Sequence, residues 1–195
     1  MTQNRLSGRI GRFLRDEEGT VLAELVIYLP LLLWGWIALF VFWDAYSQVN
    51  VAQKATFSIA DMITREQASV DTTYIGGLRK VFAYMTSNTE TNVKLRVTSI
   101  LFSTTTGKYE THWSYSPSSA LPALTTADLQ KPENLDRLPV MAGGDYLMLI
   151  ETKVNYVPLM RIPFFGDVLR TRDINNFVAV RPRFGRICQT GQTCT

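Results

Sequence analysis

The chain has 195 residues, 46% of them hydrophobic and 19% charged, and a formal net charge of only +3. That suits one modest globular domain once an apolar segment is set aside, and leaves no room for a second large domain. Its basic residues are spread along the chain without a long Lys/Arg block, so the electrostatic footprint of a nucleic-acid binder is missing and no such partner is expected.

In chain order the first feature is a basic stretch with Arg5, Arg9, Arg12 and Arg15, followed by "EEGTVLAELVIYLPLLLWGWIALFVFW", Glu17 to Trp43. The 19 residues from Leu25 to Trp43 carry no charge, and with Thr20 to Ala23 they reach the length of a bilayer-spanning helix. Pro30 removes one helical hydrogen bond and is expected to kink or loosen the span in its first third. Gly35 either lets another helix approach or is an incidental small residue, and Trp43 suits an interfacial anchor. The first basic residue downstream is Lys54, after Asp44, so the positive-inside rule places the N-terminus in the cytoplasm and the rest of the chain across the membrane. An ordinary cleaved signal peptide fits poorly: the apolar run is too long, Glu17 and Glu18 precede it, and no A-x-A-like site follows.

Glu24 stands at the front of this run, five residues past Gly19 and about 7.5 Å further along a helix. A carboxylate in a spanning helix marks a functional-site hypothesis. Two accounts fit. Cleavage after Gly19 would give Thr20 a new α-amino group, and that ammonium on one subunit would pair with Glu24 of a neighbour. Alternatively, Glu24 sits in the first turn, where the helix dipole favours an acid and the side chain reaches the headgroups.

"RFLRDEEGTVLAELVIYLPLLL" resembles the leader and processing site of type IV pilin-like proteins, and among these the TadE-type pseudopilins of the Tad (tight adherence, Flp) pilus machinery. "QVNVAQKATFSIADMITRE", Gln48 to Glu66, resembles the helix that follows the span in that family. The match covers Arg12 to Glu66, and the remainder carries no matching motif. The resemblance implies a processing site at Gly19 and Thr20, with a prepilin peptidase cutting between them. It implies helix packing and assembly through Glu24, with Pro30 in the packing helix. The implied partners are pilins, other pseudopilins and the inner-membrane assembly platform. Its organisation is a cytoplasmic leader over 1–19, a transmembrane helix over 20–43 and a periplasmic α+β domain over 44–195, anchored in the bacterial inner membrane. Leu25 departs from the Tyr that follows the glutamate in Flp major pilins, which with the length argues for a minor pseudopilin. The competing account is an uncleaved, signal-anchored periplasmic binding module.

Beyond the span, Ala45, Val49, Ala52, Ala55, Ile59 and Ile63 recur at helical spacing, with Tyr46, Phe57, Ala60 and Met62 widening the stripe. The membrane helix therefore continues outward as an amphipathic helix. Asp71 predicts the N-cap of a second helix reaching Met85, with Leu78, Val81, Phe82 and Met85 on one side. Asn92–Ser103 alternates as a strand, "TTTGK" turns and "YETHWSY" returns as its hairpin partner. Ser116–Pro139 reads as a Pro-rich loop with one short helix near Thr126–Leu135, free to decorate the surface. "DYLMLIETKVNYVPL" and "NNFVAVRPRFG" are the last two strands, with the apolar excursion "IPFFGDVL" between them. The expected fold is α+β: a long N-terminal helix packed on an antiparallel sheet of about four strands, in a pilin-like arrangement.

Cys188 and Cys194 bracket "QTGQT" near the C-terminus. Outside the cytosol this spacing suits a disulfide worth roughly 2 kcal/mol; the alternative is two thiols in a frayed tail. The last part of the chain also concentrates Arg161, Arg170, Arg172, Arg181, Arg183 and Arg186, a solvated strand face or a docking surface for an acidic partner. His112 is the only histidine, so neither a zinc site nor a Cys-His dyad is well supplied. No nucleotide-loop, nucleophile-elbow or zinc-protease motif occurs. No catalytic activity, metal or cofactor is expected.

Overall fold

The computed structural model describes residues 18–67, 69–158 and 171–191, with side chains from Val21 onward. The fold is α+β. Helix α1, Glu18–Thr64, runs for 47 residues, about 70 Å, and passes through Pro30 without ending. The span and the amphipathic helix foreseen beyond it are thus one element.

Its second half is shaped by a stripe of small residues. Ala38, Val41, Ala45, Ala52, Ala55, Thr56, Ile59, Ala60 and Ile63 are all buried. At 100° per residue they fall within an arc of about 140°, and the alanines let the helix axis come close to the sheet. Tyr46, Phe57 and Met62, expected to widen this stripe, are exposed instead. Tyr46 and Phe57 project outside the arc and Met62 falls at its border, so their apolar character does not bring them into the core.

Helix α2, Thr72–Met85, starts where Asp71 caps it, Oδ1 accepting from the Tyr74 N–H at 2.6 Å. Ile75, Leu78, Phe82 and Ala83 are buried, whereas Val81, expected on the same side, is partly exposed. The helix closes in a Schellman arrangement: the Ser87 N–H donates to Tyr84 O and the Asn88 N–H to Ala83 O, with Ser87 at φ 52°.

The sheet contains β1 (Val93–Phe102), β2 (Tyr109–Tyr115), β3 (Tyr146–Tyr156) and β4 (Arg172–Val180) in the order β2-β1-β3-β4, every neighbouring pair antiparallel. β4 begins three residues earlier than the sequence suggested, because the long β3 offers Val154 and Tyr156 as partners for Ile174 and Arg172. It ends at Val180, and Pro182 just beyond has no N–H for a ladder.

Alternation gives the sheet two apolar faces. Leu95 and Val97 of β1, Met148, Ile150 and Val154 of β3, and Ile174 and Val178 of β4 pack against α1 and α2. On the opposite face Ile100, Leu147 and Leu149 meet Leu124, Leu129 and Met141. The Pro-rich loop therefore closes a second core instead of decorating the surface. Its one expected helix is two single turns, α3 (Thr126–Leu129) and α4 (Pro132–Leu135), divided because Pro132 begins a new turn and lacks the N–H to continue the old one. The loop is also tied to the sheet: Arg96 pairs with Glu151 across the β1–β3 ladder and donates to Pro122 O at 2.7 Å. Thr126 accepts from the Thr111 N–H and Gln130 donates to Tyr109 O, which blunts the outer edge of β2.

Candidate functional site

Gly19 and Thr20 lie in the first turn of α1, and Glu24 follows in the second. From Val21 to Ile37 every residue except Gly35 is exposed, Glu24 and Pro30 included. Apart from Glu24, this part of α1 is apolar all round and some 25 Å long, close to the thickness of a hydrocarbon core. It is long and apolar enough to cross a membrane. Among the described residues Glu24 has no hydrogen-bond or ionic partner. The backbone thus places Gly19, Thr20 and Glu24 on consecutive turns of one helical end, with the Glu24 side chain exposed.

The covered part of the helix begins at Ala38, five residues before the expected end of the span at Trp43, because the packing stripe runs back into it on one side. Trp43 itself is exposed, and Asp44 next to it accepts a hydrogen bond from the Tyr156 hydroxyl at 2.8 Å. Burial first, then the hydrogen bond to Asp44 and its charge, push the Tyr156 hydroxyl up to about 12, with Arg172 acting the other way. Sequence reasoning did not single out this pair. The available signal was the position of Asp44, the first acid after a long apolar run.

Deeper in the interface Thr56, fully buried on α1, donates to Ala52 O at 2.8 Å and lies 2.7 Å from the buried Thr152 hydroxyl of β3. With the Thr56 proton directed to the helix, Thr152 donates to Thr56. This is a polar pin between helix and sheet inside an otherwise apolar layer.

The C-terminal tail is docked. The Val70 N–H donates to Cys188 O and the Thr190 N–H to Val70 O, both at 2.9 Å, and Trp113 Nε1 donates to Ile187 O at 2.9 Å. Ile187 and Cys188 are buried, so the cysteine-bearing segment is not frayed up to this point. Cys194 lies outside the described residues, as do the basic leader, Arg161, Arg170 and the "IPFFGDVL" excursion.

The remaining basic residues are largely engaged within the chain. Arg181 pairs with Asp145 at 2.8 Å, Arg183 with Asp61 at 2.5 Å, and Arg186 donates to the Tyr146 hydroxyl at 3.0 Å. His112 stands on β2 with its ring edge-on to Tyr146. Burial first, and then the Arg186 charge, lower its pKa. Among the described residues no group of His, Cys, Asp and Glu is arranged to hold a metal ion. The chain matches no family model, no curated protein and no solved structure.

Proposed function

We propose that the protein is a minor pseudopilin of the TadE type, taking part in the assembly of a Tad/Flp type IV pilus. The observation that carries this reading is the bare apolar half of α1 with a single carboxylate, Glu24, five residues past Gly19. An exposed apolar surface of this extent calls for lipid or other helices as its surroundings. The chain crosses the bacterial inner membrane once, N-terminus in the cytoplasm, and its α+β domain stands in the periplasm. A prepilin peptidase cuts between Gly19 and Thr20. The freed Thr20 ammonium of one subunit then meets Glu24 of the next, compensating a carboxylate that otherwise costs about 2.5–3.5 kcal/mol at mid-membrane. The protein does no chemistry itself: α1 packs with pilins, other pseudopilins and the assembly platform while the domain presents its outer surface. In the periplasm Cys188 and Cys194 form a disulfide that holds the docked tail.

The deciding experiment is N-terminal sequencing of the membrane-extracted protein from cells with and without a cognate prepilin peptidase. The expected result is a chain that starts at Thr20 only when the peptidase is present. An intact N-terminus in both would sink the pseudopilin reading and favour an uncleaved, signal-anchored binding module. In the same cells Glu24→Gln is expected to leave insertion intact and abolish assembly; unchanged piliation would remove the ion pair.

A further inference from the structure

At the level where α1 leaves its apolar half, a cleft of about 290 Å³ opens between the helix, the end of α2 and the ends of β3 and β4. Asp44 and Gln48 come from α1, Thr86, Ser87 and Asn88 from the α2 terminus, Asn92 from the approach to β1, and Asn155 and Tyr156 from β3. The size falls at the lower end for ligand sites and suits a small polar group.

The lining mixes polar side chains with the apolar Val154, Val157 and Ile174, and part of its polar share is uncommitted. Asp44 accepts from Tyr156 through Oδ2 alone, and among the described residues the side chains of Gln48, Ser87 and Asn92 make no hydrogen bond. Asn88 and Asn155, in contrast, are spent on Thr86 O and Asp173. Ser87 adds a second, independent observation. It is the only non-glycine residue at positive φ among those described, and it occupies the Schellman position where glycine is the unstrained choice. Strain of this kind concentrates at functional sites, and here it brings a hydroxyl to the cleft wall.

Charge narrows the occupant. The only formally charged lining group is the Asp44 carboxylate, which attracts a cation and repels a purely anionic group. Arg172 lies directly opposite Tyr156 in the β3–β4 ladder, and its charge acts on the Tyr156 hydroxyl. Among the described residues it has no ionic partner. The same end of the domain therefore offers the Asp44 carboxylate, neutral amides and a hydroxyl in the cleft, and the Arg172 cation outside its lining, beside Tyr156 in the ladder.

We infer that this cleft binds the headgroup of a phospholipid carrying a primary ammonium, phosphatidylethanolamine. The ammonium lies against Asp44 and Ser87, and the phosphate accepts from Asn92, Gln48 and Arg172. A quaternary ammonium has the charge but no N–H to donate, so phosphatidylcholine is discriminated against. This inference rests on the membrane reading above, since Trp43 and Asp44 then stand at the headgroup level.

The test reconstitutes the full chain in vesicles of equal parts phosphatidylethanolamine, phosphatidylcholine and phosphatidylglycerol, floats them, extracts the protein in mild detergent and weighs the retained lipid by mass spectrometry. Phosphatidylethanolamine is expected to be enriched roughly tenfold, the scale of one charge-assisted hydrogen bond. Asp44→Asn keeps an acceptor for Tyr156 and is expected to return retention to the bulk ratio, with Arg172→Gln reducing it. Ser87→Gly is expected to lower enrichment while leaving the thermal midpoint unchanged or higher, which separates lost binding from lost folding. Flotation with lipid retained at the bulk ratio, or equal enrichment in Asp44→Asn, overturns the headgroup site and leaves the membrane anchor standing. Failure to float with any vesicle overturns both. Free ethanolamine phosphate competing as well as the lipid would reassign the cleft to a soluble ligand and overturn the lipid assignment.

Discussion

The two halves of α1 share one unbroken backbone and differ in almost everything around it. From Val21 to Ile37 most side chains are large, apolar and bare, while from Ala38 to Ile63 the inward positions are mostly alanine and are covered. Helical propensity does not separate them. What separates them is whether small residues recur on one side, because only a narrow stripe lets a helix settle closely onto a sheet. The bare half has bulk in every direction and no preferred face, as suits a uniform apolar solvent. The covered half has one face for the sheet and sends Tyr46 and Phe57 away from it.

Truncation should expose this difference most strongly. Ile59 is fully buried in the helix–sheet core, so Ile59→Ala is expected to lower the unfolding free energy by about 3 kcal/mol. Leu32→Ala removes the same kind of surface from the bare half and is expected to leave the domain's stability unchanged. Denaturant unfolding of the full chain in detergent checks both. Equal losses would mean that the bare half packs on the domain after all.

A finer contrast concerns the buried hydroxyl pair between helix and sheet. Thr56→Val keeps the shape of the side chain and leaves the Thr152 hydroxyl buried without its acceptor, at a cost of about 1–3 kcal/mol. Adding Thr152→Val removes the stranded group, and the double variant is expected to recover most of that loss. A double-mutant cycle read by the same unfolding measurement gives the coupling directly. Additive losses would show that the hydroxyl pair does not hold helix and sheet together.

Much of this architecture was legible because its signals are local. Asp71 caps α2 through an oxygen of its own short side chain, and the alternation of Val93, Leu95 and Val97 needs only the period of a strand. The apolar run before Asp44 is a matter of length. Illegible features depend on who lies opposite. Nothing in "SSALPALTTADLQKPENLDRLPVM" says that Leu124, Leu129 and Met141 cover the back of the sheet, because an apolar residue in a Pro-rich loop looks alike whether it faces water or a strand. Asp44 and Tyr156 are 112 positions apart, and Thr56 and Thr152 are 96 apart. Such pairs are set by the crossing of helix and sheet, which periodicity alone does not locate. Gly19, Thr20 and Glu24 are the reverse case: their pattern stands out in the sequence, and under the proposed function their partner is a neighbouring subunit.

The smallest expected effect lies in the sheet, far along the chain from α1, and depends on pH. His112 Nδ1 is buried and has no hydrogen-bond partner among the described residues, and burial followed by the Arg186 charge holds its pKa below the ordinary value near 6.5. The unfolded chain therefore takes up the proton at a higher pH than the folded one. Stability from the neutral ring is fully present above the unfolded pKa and is lost as pH falls from there toward the folded value, after which the slope levels off. The thermal midpoint of the wild type should thus decline as pH drops from about 7.5 to about 5, and His112→Gln should flatten that decline. Arg186→Gln removes the secondary cause alone, so an intermediate slope is expected, nearer to wild type because burial is the larger cause. A slope unchanged in His112→Gln would assign the pH dependence to other groups.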